Sequence, residues 1–378
     1  MFRLPWGFCL LFFFLLCPVG ISAAETDTGM DLSLLEDAVE QLDETLDGTV
    51  SLSDLLSAVL RGDFSFDLSS LWDTFLSLVL RELRTFSALI SQLLLLGVIG
   101  AVFHVFAESF PKGSISKVGQ WVLFLAFLLV AVKNFHMALE LGAGTIEKAA
   151  DFLYAVLPVL LSSFALTGGT VAASVVQPTV LGVITLFLGL LERFFLPLLL
   201  MMAALVICSQ LTSGYSFRKF CELIRSVLLI ALGFMMTVFT GLLGLESFAA
   251  GTVDGLTLKT AKMATGSFIP LVGGYIADAF DSILGAGLLL RSSIGIFGVI
   301  AVFIVMFMPA LRILLMAFLF KLTAAVLQPF GDDGFVTSLS DFSSVLMLLF
   351  ALLVCAGLLF FFLIFCIVGV SSMTMMFR

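Results

Sequence analysis

Lys262–Ile300 reads KMATGSFIPLVGGYIADAFDSILGAGLLLRSSIGIFGVI, and the reading of the whole chain turns on it. It lies among long apolar runs yet carries Pro270, Gly273-Gly274, Asp278, Asp281 and Arg291. A lipid-facing helix avoids that mixture, because broken backbone and buried charge are both costly in hydrocarbon. The stretch is therefore either an interfacial connector or a re-entrant part of a polar path.

The surroundings place it in a membrane protein. Of the 378 residues, 61% are hydrophobic and only 12% charged, where a soluble domain carries roughly 25% charged residues. The chain is expected to be all-α, a polytopic α-helical membrane protein of about seven spans. Arg3, the apolar core Leu10–Leu16 and the small residues Ser22-Ala23-Ala24 read as a cleavable signal peptide over 1–24. Cys208, Cys221, Cys355 and Cys366 show neither metal spacing nor a disulfide framework and read as small apolar residues.

The formal charge of −9 is unevenly spread. Glu25–Arg84 holds 14 acids and 3 bases, a net −11, and the remaining mature chain has 13 acids and 14 bases, a net +1. An acidic segment, 25–85, thus precedes a polytopic membrane domain, 86–372, and a short tail, 373–378. The acidity gives no reason to expect nucleic acid. Within 25–85, Leu35, Ala38, Val39, Leu42 and Leu46 recur at helical spacing, as do Leu52, Leu55, Leu56, Val59 and Leu60. A third run, Leu68, Leu71, Trp72, Phe75, Val79 and Leu83, leads toward the first span. Short helices that lie on the membrane or pack on a partner are expected here.

Apolar runs follow at 86–106, 121–132, 152–211, 219–243, 294–330 and 344–370, with a polar interval at 245–293 that is interfacial or re-entrant. A cleaved signal puts 25–84 outside, and Lys112, Lys117, Arg218, Lys219 and Arg225 then fall inside, as does Arg378. That requires an even number of crossings between 118 and 217. A faint internal echo relates Pro158 to Pro270 and Pro197 to Pro309, each pair 112 residues apart (270 − 158 and 309 − 197). Repeats with broken helices at matching positions are a transporter trait.

Catalytic motifs are missing: the sequence has no GxxxxGK[ST], no HExxH and no GxSxG. His104 and His136 are better read as ordinary buried histidines than as metal ligands. No cofactor is expected. Glu192-Arg193 interrupts one apolar tract, and Arg312 and Lys321 another. A charge at the bilayer centre costs at least about 2.5–3.5 kcal/mol, so such groups pair, line water or mark a boundary. Glu192-Arg193 fits a tight turn between two short helices, and Arg312 and Lys321 fit snorkelling at a helix end. Asp278 and Asp281 fit the wet face of an interfacial helix, and the glycines fit close helix packing. The alternative for all of them, with Gly273, Gly274 and Arg291, is a polar path or a docking surface.

Ser267–Ile300, with the paired strings Phe195–Leu200 (FLPLLL) and Phe307–Arg312 (FMPALR), resembles the stage III sporulation protein AE family. The resemblance runs from about residue 86 to 370 and brings no catalytic residues. It implies a non-enzymatic membrane subunit of the secretion channel complex between mother cell and forespore, sited in the outer forespore membrane. The implied partners are other stage III sporulation A-operon proteins, including a cytosolic ATPase, and a forespore-side channel protein. From the residues alone, a self-sufficient secondary transporter and a membrane scaffold without a conduction path stay open beside it.

Overall fold

In the computed structural model the described backbone comprises residues 51–61, 79–109, 114–166, 170–211, 217–268, 273–329 and 333–376, with isolated positions before them. Side chains are described for part of these, a part that excludes 246–292. The signal peptide lies outside the described residues, as does most of the acidic segment. All described elements are helical. They are α1 (Leu52–Arg61), α2 (Val79–Thr85), α3 (Ser87–Ser109), α4 (Ser114–Leu166), α5 (Thr170–Leu190), a π turn (Leu191–Phe195) and α6 (Leu196–Leu211). α7 (Arg218–Phe268), α8 (Gly273–Leu327) and α9 (Asp333–Met376) complete the chain.

The helices are long for membrane elements. α4, α7 and α8 have 53, 51 and 55 residues, roughly 75–85 Å at 1.5 Å per residue, against a hydrocarbon layer of about 30 Å. Among the described residues five helices are long and apolar enough to cross a membrane, or six if α2 and α3, bent by 45°, make one broken span. Seven were expected. The difference arises because 152–211 does not fold into several short spans. Its first part completes α4, and the rest forms one run through α5, the π turn and α6. Between 118 and 217 there are thus two long helical runs, an even number. Lys262–Phe268 closes α7, Gly273 and Gly274 open α8, and 273–292 continue without a break into the apolar 293–327. The echoed prolines stand in different settings: Pro158 and Pro309 lie inside helices and Pro197 follows the π turn, while Pro270 lies outside the described residues.

α9 is the hub, packing on α8, α7, α4 and α6. It is apolar on all sides, as a helix surrounded by other helices must be. Its Phe342 is buried and meets Phe127 and Phe135 of α4 and Phe320 of α8, with centroids 6.4–6.5 Å apart. The Ser343 hydroxyl donates to the Ala317 carbonyl at 2.7 Å, a buried bond between α9 and α8. Small residues let backbones approach: a Cβ on Gly295 would lie 2.3 Å from Val368 Cγ2, and one on Gly142 3.2 Å from Leu349 Cδ1.

The amphipathic reading of the acidic segment survives where it is described. α1 buries Leu52 and Leu56 and packs on α8 of the same chain. Its free N-terminal amides are capped from nearby sequence: Leu52 and Ser53 donate to the Asp43 carboxylate at 2.5 and 3.1 Å. The bend at Phe86 has a local cause as well. Thr85 and Ser87 hydroxyls bond back to the Arg81 and Arg84 carbonyls at 3.2 and 2.6 Å, a competition that bends helices.

Candidate functional site

Two groups of charge stand inside this apolar framework. The first is a pair. Arg312 Nε donates to Glu82 Oε1 at 2.9 Å, joining α8 to α2 across 230 positions of sequence. The Glu82 side chain is 9% exposed and that of Arg312 37%, so the carboxylate depends on its partner far more than the guanidinium does. Arg312 therefore does not snorkel at a helix end, as expected; it sits within α8 and is satisfied by the chain itself. A second contact fixes how α3 lies. A Cβ on Gly97 would come 2.1 Å from Leu327 Cδ1. Since 97 − 82 and 327 − 312 are both 15, α2–α3 and α8 run parallel along this length.

The second group faces outward. α4 buries Phe135, Ala138, Leu139, Ile146, Ala149 and Ala150, whereas Lys133, His136, Glu140, Glu147, Lys148 and Asp151 are exposed. Their spacing is that of one helix face, so a charged stripe runs roughly 27 Å along α4 (18 residues at 1.5 Å each). His136 Nε2 and Glu140 Oε1 are 3.1 Å apart on it.

Glu192 and Arg193 extend this face onto the neighbouring helix. They do not occupy a tight turn between short helices, as expected. The chain passes through them on a π turn whose flanking residues, Leu190 and Leu196, are both helical. The Leu196 N–H bonds five residues back, to Leu191 O, and Pro197, which follows, has no N–H to offer the Arg193 carbonyl. Leu191 and Phe195 point inward and Glu192 and Arg193 are exposed.

Registers show that these charges share a level. The Tyr154 and Thr185 hydroxyls lie 3.3 Å apart on the seam between α4 and α5. Glu147 precedes Tyr154 by seven residues and Glu192 follows Thr185 by seven. Two turns along antiparallel helices bring them to one height on that seam, with Lys148 and Arg193 beside them. Phe187 packs on Phe239 and Phe360 at 6.5 and 5.7 Å, and Phe195, Leu199, Leu228, Leu232, Leu348 and Leu352 line one apolar cleft. Those contacts set Glu192 level with about Phe234 of α7. There Ile230 and Phe234 are each 71% exposed, an apolar surface of the kind that lipid or another protein covers. At one depth the bundle therefore presents an apolar flank on α7 and a charged flank on α4 and the π turn.

Of the other residues singled out, Asp278, Asp281 and Arg291 lie on α8 and Gly273 and Gly274 in its first turn; Pro270 falls outside the described residues. Among the described residues no three His, Cys, Asp or Glu side chains form a group able to hold a metal, and Cys355 and Cys366 are buried. The sequence reading missed Glu82 and the α4 stripe. The signal for the stripe was present as Lys133, His136, Glu140, Glu147 and Asp151 at helical spacing, between two apolar runs that drew the attention.

Residues 50–371 match the family model for stage III sporulation protein AE. A curated relative, stage III sporulation protein AE of Bacillus subtilis (strain 168), is 31% identical over 323 residues, covering 85% of this chain and 81% of that protein. No solved structure matches. The chain belongs to the stage III sporulation protein AE family.

Proposed function

We propose that this chain is a non-enzymatic membrane subunit of the transport complex joining mother cell and forespore, and that its charged flank forms part of the polar path. The reading rests on the family and on one observation: charges on α4 and the π turn stand level with the exposed apolar face of α7. Four charges left against lipid at mid-bilayer cost roughly 10–14 kcal/mol at about 2.5–3.5 each. That is as much as the whole stability of an ordinary domain, about 5–15 kcal/mol, so water or protein must cover them.

In this reading the ATPase and the other stage III sporulation A proteins energise and complete the path, and a forespore-side protein continues it. The chain sits in the outer forespore membrane with its acidic segment outside. With Lys112, Lys117, Arg218 and Lys219 inside, six crossings return the C-terminus to the outer side, where seven would leave it inside. A reporter fused after Arg378 distinguishes the two.

The test is a sporulating strain whose only copy carries E147Q, K148Q, E192Q and R193Q together. The expected result is normal protein level and localisation with a block after engulfment. Normal heat-resistant spore yield overturns the reading. Solute flux through the purified chain alone in liposomes would assign it to a self-sufficient permease instead.

A further inference from the structure

We propose that the charged flank is a track for phospholipid headgroups, by which this chain lets lipid pass between the two leaflets down its own gradient. The inference rests on the reading of that flank as a polar path and deepens it by naming a cargo. The chain can serve the transport complex and still fail the test below.

Depth carries the argument first. Phe187 meets Phe239, and Phe195 shares its cleft with Leu228, so α7 runs antiparallel to α5 and α6. α4 is antiparallel to α5 as well and therefore runs in the same direction as α7. Glu147 stands level with Glu192 and hence with about Phe234. Lys133, 14 residues before Glu147, is then level with about Phe220, and Asp151, four residues after it, with about Val238. The Tyr154 and Thr185 hydroxyls, 3.3 Å apart, extend the polar contacts to the level of about Gly241. Polar groups thus accompany the candidate span Lys219–Leu245 along nearly its whole length. From Lys133 to Tyr154 is 21 residues (154 − 133), roughly 32 Å at 1.5 Å each, against a hydrocarbon layer of about 30 Å. One end of the track lies beside the exposed Lys219–Glu222 ion pair, 3.2 Å apart, where headgroups would meet it.

Spacing and surroundings then fit a phospholipid. Lys133 comes first, His136 with Glu140 second, and the four charges at the Glu147 level third, followed by Asp151. No step exceeds seven residues, about 10 Å. The longest step, Glu140 to Glu147, passes Gly144, where an added Cβ would meet no atom within 4 Å, so the gap is open space. Exposed apolar side chains border the track: Met137 on α4, Leu186 and Leu190 on α5, and Phe194 on the π turn. A zwitterionic headgroup offers a phosphate to Lys148 and Arg193 and an ammonium to Glu147 and Glu192, while its acyl chains lie on the apolar border. Water reaches the track with the headgroups it hydrates. A water-soluble cargo would use the charges and leave the border bare; an apolar partner helix would cover the border and strand the charges. Lipid satisfies both. Glu147, Lys148, Glu192 and Arg193 sum to zero, so the middle of the track attracts both ends of the headgroup without trapping it by net charge.

The track is complete in one chain, so the experiment uses the purified full chain in phosphatidylcholine and phosphatidylglycerol vesicles. These carry a trace of phosphatidylcholine with a nitrobenzoxadiazole label on one acyl chain. Dithionite bleaches label in the outer leaflet, and albumin extracts it. With the chain present, both reagents are expected to reach inner-leaflet label at least about tenfold faster than in protein-free vesicles. E147L, K148L, E192L and R193L together should return the rate to that of protein-free vesicles. G144W, which fills the open step and removes no charge, should slow exchange as well. K219Q with E222Q on α7 should leave it unchanged, and size exclusion confirms that each variant is folded. Exchange that survives both the four leucines and G144W overturns the proposal. Label reached by dithionite but not by albumin shows a path for solute rather than lipid and refutes it. Inner-leaflet label out of reach of both shows that another protein covers the flank and refutes it equally. The transport reading is decided separately, by spore yield in the strain carrying E147Q, K148Q, E192Q and R193Q.

Discussion

Removing Arg312 should damage this protein more than removing its partner, and the reason lies in how unequally the pair is buried. Breaking a buried ion pair by deleting one member costs about 3–5 kcal/mol, because the survivor is left desolvated and alone. In R312M the survivor is Glu82, whose side chain is 9% exposed. Water reaches the Arg312 side of the pair, which is 37% exposed, so the figure is reduced to about 2–3 kcal/mol. In E82Q the survivor is Arg312, which keeps access to solvent and retains an amide oxygen as acceptor, so about 1 kcal/mol is expected. With an unfolding entropy of roughly 2.1 cal/mol/K per residue over the 322 residues (371 − 50 + 1) of the family match, 1 kcal/mol corresponds to about 1.5 °C. R312M should therefore lower the midpoint of a detergent thermal series, read by fluorescence-detected size exclusion, by about 3–5 °C. E82Q should lower it by about 1–2 °C. Adding E82Q to R312M should recover part of the loss, since no buried charge then lacks a partner. Equal losses for the two single variants, or a double variant equal to their sum, would refute the reasoning.

Other perturbations test other parts of the fold. P197A restores an N–H that can reach the Arg193 carbonyl; it should favour a regular α-turn, rotate Glu192 and Arg193, and lower spore yield without lowering thermal stability. G97L forces a side chain to where Leu327 already sits, 2.1 Å from the first added carbon. It should prise α3 from α8 and lower the yield of folded protein, and L327A in the same chain should restore much of it. D43A removes the cap shared by Leu52 and Ser53. It should weaken α1 by about 0.5–2 kcal/mol, seen as faster hydrogen exchange over 52–61 with α8 and α9 unchanged.

What the sequence made legible follows from where its signals are local. Apolar runs and their flanking glycines are local, and they found the membrane helices and the amphipathic α1. Helix continuity is less so. Glu192-Arg193 in an apolar tract looks like a corner, and only the five-residue bond from Leu196 to Leu191 between helical flanks shows that the helix carries on. The Glu82–Arg312 pair was beyond reach, because nothing near Glu82 signals a partner 230 residues later. The α4 stripe was readable yet undervalued: its mean hydropathy, 1.4 against 3.1 for the apolar part of α9, marks α4 as the least lipid-like of the five candidate spans.

The pair between α2 and α8 also bears on how the chain is made. Glu82 leaves the ribosome 230 residues ahead of Arg312, about 12–46 s at 5–20 residues per second. Throughout that interval the α2–α3 segment lacks the cation that lets it bury its acid, and Gly97 lacks the helix it packs on. The first of the candidate spans is therefore among the last to settle. A chain arrested before residue 312 should carry an unsatisfied acidic segment that membrane proteases can recognise, so truncated products would be cleared while complete ones persist.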